Sequence, residues 1–108
     1  MTSDLPDGIT VEWVWAVEAT YAADAAVTRE PVRVEHISRA AELRAAGVIL
    51  EVGAYADMSG SLLLLRAASE EEALAIVRDD VYFRTGVWVG FRARPFGRVA
   101  RTDELPSA

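Results

Sequence analysis

The chain has 108 residues, 52 % of them hydrophobic, with no cysteine, one histidine and a net charge of −6. That length allows one domain with one core, and the lack of cysteine excludes disulfides, thiolate catalysis and Cys-ligated zinc or iron–sulfur sites. The acidic balance argues against nucleic acid as a partner, and no apolar run approaches the ~20 residues of a membrane span.

Asp4 and Asp7 stand where a signal peptide would carry positive charge, so a cytoplasmic protein with no membrane partner is expected. One histidine without cysteine predicts no metal site. Without GxGxxG or P-loop patterns, no nucleotide cofactor is expected either. All eleven basic residues are arginine. Residues 1–9 read as a flexible lead-in, 10–96 as the domain, and 97–108 as a flexible, charged tail.

Thr10 to Tyr21 alternates with period two. Val11, Trp13, Trp15, Val17, Ala19 and Tyr21 share one face, and Glu12, Val14, Ala16, Glu18 and Thr20 the other. The pattern predicts a central strand with both faces covered. After a connection, Thr28 is a candidate N-cap and Pro31 suits a first helical turn. The helix predicted from Pro31 carries Glu35, Arg39 and Glu42 on one face and Val34, Ile37 and Ala41 on its buried one. His36 shares a side with Val32, Ala40 and Leu43, at the border of the apolar stripe. Gly47 ends the helix as its C′ residue.

Val48 to Gly53 is a short strand and Leu62 to Arg66 the next, joined across the turn-rich YADMSGS segment. Ser69 and Glu72 form a capping box for a second helix, which runs out near Arg78 to Asp80. Val81 to Thr85 offers a further turn before Gly86, and Val87 to Pro95 alternates as a last strand. The order β-α-β-β-α-β is the ferredoxin-like, α+β pattern: a four-stranded antiparallel sheet with two helices on one face. Its other face would be bare in a monomer, which predicts a homodimer through the sheet face.

The sharpest chemical signal is His36, with Asp79 and Asp80 as carboxylates at the end of the second helix; periodicity does not choose between the two acids. An imidazole oriented by a carboxylate can give and take a proton near neutrality. The competing reading is a partly exposed helix histidine with Glu35 or Arg39 as local partner. Tyr82, Trp88 and Tyr55 are candidate ligand walls or plain core. Ser59, Gly60 and Ser61 can offer donors to an oxyanion or simply serve a hairpin turn, and Arg33, one turn before His36, can steer an anionic small-molecule ligand.

Several of these features occur in one order: a helix histidine followed by Leu43 and Gly47, a strand into Gly53, Gly60-Ser61 opening the third strand, and the Ser69-Glu70-Glu71-Glu72-Ala73 helix start. Asp80-Val81-Tyr82-Phe83-Arg84-Thr85-Gly86 closes the series. Over residues 11–96 the chain resembles the YciI-like (YCII-related domain) family, whose usual ending is Asp-Pro-aromatic, three positions, then glycine; Val81 replaces the proline here. The resemblance implies a dimeric α/β barrel with a His–Asp pair, mapping onto His36 and Asp80, as its active site. Members and fold relatives include enzymes acting on small lactones and chlorinated aromatics, muconolactone isomerases and a dehydrochlorinase among them. The expectation is a cofactor-independent isomerase or lyase using His36 and Asp80, with Arg33, Ser61, Tyr82 and Trp88 as substrate contacts. The alternative is a non-catalytic dimeric small-ligand-binding or accessory module.

Overall fold

The computed structural model describes residues 4–106, so the outermost parts of the expected lead-in and tail, 1–3 and 107–108, lie outside the described residues. Four strands form one antiparallel sheet: β1 Ile9–Tyr21, β2 Ile49–Ala54, β3 Gly60–Leu65 and β4 Trp88–Arg101, in the order β2-β3-β1-β4. The helical segments are α1 Ala25–Thr28, α2 Arg33–Ala45, α3 Glu70–Arg78 and α4 Val81–Arg84. This is the α+β, ferredoxin-like arrangement.

Local chemistry explains the element ends. Gly47, at φ +79°, closes α2 with the paired bonds Val48 N–H to Leu43 C=O and Gly47 N–H to Arg44 C=O. Gly86, at φ +80°, does the same for α4, through Val87 N–H to Tyr82 C=O and Gly86 N–H to Phe83 C=O. The Ser69 hydroxyl accepts from Glu72 N–H as expected, while the Glu72 carboxylate reaches back to Ala68 N–H. Gly60 opens β3 because a Cβ there would collide with the Ala19 carbonyl oxygen of the neighbouring strand.

The helix start differs from expectation. Thr28 does not cap α2; it ends α1, and its hydroxyl donates to the Asp24 carbonyl. Pro31 lies in a 3₁₀ turn, Glu30–Val32, and α2 begins at Arg33. The buried stripe of α2 is also rotated. Val34 is 80 % and Ile37 51 % exposed, whereas Val32, His36, Ala40 and Leu43 face the sheet. Apolarity alone favoured Val34 and Ile37. The polar His36 goes inside because it finds partners there.

The core lies between the helices and the C-terminal half of β1, where Trp88, Tyr82, Leu65, Val17, Val77 and Val87 are fully buried. Each large side chain so buried contributes about 1.5–3 kcal/mol. Only Trp15 to Thr20 of β1 pair with β3, while Ile9 to Val14 pair with β4 alone, across to Phe96 through Arg101. The two strands therefore project as a ribbon, in a molecule 51 × 26 × 23 Å in extent.

The tail expected from residue 97 is thus in part strand. Gly97 to Arg101 continue β4, and the Thr102–Glu104 turn folds back so that Glu104 bonds Arg98 at 2.9 Å. That continuation is possible because Pro95, which ends many strands, faces Trp15 without interrupting the register. The sheet face away from the helices is also less bare than the alternation implied. Glu12 takes two bonds from Arg66 (2.7 and 3.1 Å) and one from Arg98 (2.8 Å), Arg94 bonds Glu18 at 3.2 Å, and Val14 and Ala16 are buried among these neighbours.

Candidate active site

Two chain segments far apart in sequence meet at His36. The first turns of α2 present its imidazole, 9 % exposed, toward the start of α4. Asp80, 4 % exposed, follows Asp79 in the short link between α3 and α4. Its backbone is extended (φ −77°, ψ 143°), and its Oδ1 accepts the Tyr82 N–H at 2.9 Å, so it N-caps α4. This corrects the view of Asp80 as an acid at the unfavourable end of a helix. It also places Val81 at the first helical position, where proline is favoured in other sequences because no N–H is needed.

The same Asp80 Oδ1 lies 2.8 Å from His36 Nδ1, and Arg39 donates to Asp80 Oδ2 at 3.3 Å and to the Ile76 carbonyl at 3.0 Å. The Asp79 side chain is largely exposed, and among the described residues its carboxylate meets only Arg39, at 3.7 Å. Of the two acids, Asp80 holds the histidine. Burial pushes the Asp80 carboxyl up, but hydrogen bonds from His36 and Tyr82 N–H, with the charges of His36 and Arg39, outweigh it and hold the group below its ordinary value. An ionised carboxylate only accepts, so the shared proton belongs to Nδ1, and Nε2 of the neutral ring carries the lone pair.

The ring is clamped in place. Tyr82 stacks on it at 3.7 Å between centroids and 8° between planes, and Trp88 meets both rings edge-on, at 5.3 and 5.5 Å. Nε2 makes no hydrogen bond among the described residues, yet no buried side-chain nitrogen or oxygen there lacks a partner, so Nε2 is open to solvent. The opening is a cavity of about 270 Å³. Buried Tyr21, Ser61 and Tyr82 close its inner end, Ile37 and Ala40 of α2 and Val52 to Ala54 of β2 form its sides, and Arg29 and Arg33 stand beside it.

Of the residues singled out from sequence, His36, Arg33, Ser61 and Tyr82 line this cavity, and Asp80 lies behind His36. Trp88 does not reach it. The chain turns inward after Gly86, leaving Trp88 1 % exposed in the core, where its Nε1 donates to the Ser61 hydroxyl at 3.3 Å. Tyr55 is exposed and lies outside this cavity. Tyr21, Arg29, Ile37 and Arg39 were not singled out for the site. Spacing offered a signal for two of them: Arg29 precedes Arg33 by four residues, and Arg39 follows His36 by three.

The sequence profile of the YCII-related domain matches residues 14–97. The chain belongs to the YCII-related domain family. Among solved structures, it is similar to 5-chloro-2-hydroxyhydroquinone dehydrochlorinase (TftG) from Burkholderia phenoliruptrix AC1100, in complex with 2,5-dihydroxybenzoquinone. The TM-score is 0.63 and the identity 20 %, over 75 % of this chain and 90 % of that one. A comparison with curated proteins gave no match. No helix among the described residues is long and apolar enough to cross a membrane.

Proposed function

We propose that this YCII-related domain is a cofactor-independent small-molecule enzyme, an isomerase or lyase whose general acid–base is His36. The observation that carries the reading is the 2.8 Å contact between His36 Nδ1 and Asp80, with Nε2 left open at a cavity. Nε2 takes a proton from a carbon or oxygen of the bound molecule, and the imidazolium formed is stabilised by the Asp80 carboxylate and by the face of Tyr82. In an isomerisation the same proton returns at another atom of the substrate. In an elimination the electron pair left behind expels a leaving group, and the proton passes to it or to water. The substrate is proposed to be of the lactone or aromatic-acid type on the family resemblance, and the dehydrochlorinase with a bound dihydroxybenzoquinone supports chemistry on a small ring compound. Tyr82 and Ser61 act as walls and positioning groups, and Arg33 as a contact for the substrate.

The protein is further proposed to work in the cytoplasm as a homodimer through the open sheet face, where Leu62 and Phe96 remain exposed between the Glu–Arg pairs. The test is turnover of lactones and haloaromatic acids by the parent and two variants. His36→Ala should lose about 10²–10⁴ in kcat with KM little changed. Asp80→Asn should also lose turnover, because the ring forfeits the charge that orients it. Full activity in both variants sinks the assignment. Saturable binding with no turnover of any candidate favours the non-catalytic module.

A further inference from the structure

We infer that the cavity beside His36 takes its ligand as a small organic monoanion, a carboxylate held by Arg29 and Arg33. The placement of the reactive end against Nε2 rests on the acid–base reading; the anion site itself does not.

Arginine is the only cation in this chain apart from His36, and it is mostly spoken for. Seven of the eleven arginines are engaged by carboxylates. Among the described residues Arg29, Arg33, Arg78 and Arg92 are not, although the chain carries six more acidic than basic side chains, and of these Arg29 and Arg33 stand at the His36 cavity. Both line the cavity that His36 opens into, and among the described residues no Asp or Glu lines it with them. Arg29 is half-buried, so its charge is partly withdrawn from water with no protein anion to replace the lost hydration. Their reach into the site is felt at Tyr82. Burial and Tyr21 push its phenol up, and the charges of Arg29 and Arg33 oppose that rise.

Two features narrow the ligand. First, Asp80, behind the imidazole, is already offset by Arg39, and the exposed Arg33 is screened by water. The site therefore presents about one unscreened positive charge, which one carboxylate neutralises and a phosphate dianion overfills. Second, about 270 Å³ lies below the ~300–1,000 Å³ of sites for drug-sized molecules. The sides formed by Ile37, Ala40 and Val52 suit a compact apolar body. Guanidiniums match carboxylate geometry with two donors each. With Arg33 exposed and Tyr82 buried, the carboxylate sits at the mouth and the apolar part points inward toward His36.

The experiment is calorimetric titration of the full-length protein with benzoate, its neutral isostere benzamide, and phenyl phosphate. Benzoate should bind at least about tenfold more tightly than benzamide, and Arg29→Gln and Arg33→Gln should each weaken benzoate by about tenfold or more while leaving benzamide unmoved. Among the described residues neither guanidinium has a hydrogen-bond or ion-pair partner to lose, so both variants should keep the parent's melting temperature, which verifies that they fold. His36→Ala should keep benzoate affinity. The proposal is overturned by equal binding of benzoate and benzamide, by no saturable benzoate binding, or by benzoate binding indifferent to both arginines. It is also overturned by loss of benzoate binding in His36→Ala, or by phenyl phosphate binding more tightly than benzoate. The two readings fail separately. Turnover lost in His36→Ala without carboxylate preference removes the anion site and leaves the acid–base role. Carboxylate preference with turnover intact in His36→Ala does the reverse.

Discussion

The two halves of β1 carry the same alternation and meet different fates. From Trp15 to Tyr21 the odd-numbered side chains lie under the helices, in contact with the core. From Val11 to Trp13 the same face is open, and Trp13 is 73 % exposed. The cause is length. A helix of 13 residues such as α2 spans about 20 Å, and a strand of 13 residues such as β1 spans about 43 Å. The helices can cover one half of β1 and β4, not both. Polar bonds hold the uncovered half instead, chiefly Glu12 between Arg66 and Arg98, and Glu104 folded back onto Arg98. An alternating pattern tells which residues share a face. Whether that face is covered depends on what else the chain has to lay over it.

The largest effect that would test this contrast is at Trp88, the buried counterpart of Trp13. Trp88→Ala removes a ring that packs on His36, Tyr82 and Phe91 and leaves the Ser61 hydroxyl without its donor. A loss of about 3–5 kcal/mol is expected in urea denaturation. A loss below about 1 kcal/mol would mean the helix end is as loosely packed as the ribbon.

The next effect is at Asp80, and it is read through pH. The folded carboxyl is held below its ordinary value by the bonds from His36 and Tyr82 N–H and the Arg39 charge, against its burial. A depressed folded value means the contribution to stability is complete above the unfolded carboxyl pKa, ~3.9. It is lost as pH falls through the folded value. Asp80→Asn should therefore cost about 2 kcal/mol near neutrality. The difference between parent and variant should shrink as acid is added below ~4. Glu12, also held low by its arginines, is common to both proteins and cancels in that difference. A difference that stays constant through the acid range would show that Asp80 acts through packing and not charge.

What the sequence disclosed follows the same division. The strands, Gly47, the Ser69 cap and the β-α-β-β-α-β order were legible because each rests on local chemistry or on a period that tertiary contacts did not override. The α2 face was not legible from the apolar pattern: Val34 and Ile37 outrank His36 in hydrophobicity, and only the partners 44 residues away make a buried histidine cheap. Asp80 was legible by resemblance and not by periodicity: the helix was expected to run out near Arg78 to Asp80, but nothing in that run tells which of the two acids caps the next turn and meets His36. The extension of β4 past Phe96 was missed because its face is exposed and charged, so no apolar signal marks it. Arg29 was missed, and Arg39 was read only as a local partner of His36, because helical spacing marks which residues are near and not whether a carboxylate or a cavity lies beside them.

The smallest expected effect is at Trp13, and it decides what the ribbon is for. Its indole lies across Gly97, where an added Cβ would come within 3.2 Å of the ring, but it is otherwise in water. The unfolded chain exposes it too, so Trp13→Ala should change stability by no more than about 0.5 kcal/mol. Trp13 points to the helix side of the sheet, the side that a homodimer through the opposite face leaves uncovered. On that geometry the effect of Trp13→Ala should be the same over about a hundredfold range of protein concentration, even if the melting temperature of both proteins rises with concentration through dimerisation. Suppose instead that the two melting curves diverge as concentration rises. Then the indole is buried in the assembly, and the ribbon, not the open sheet face, carries the contact between copies.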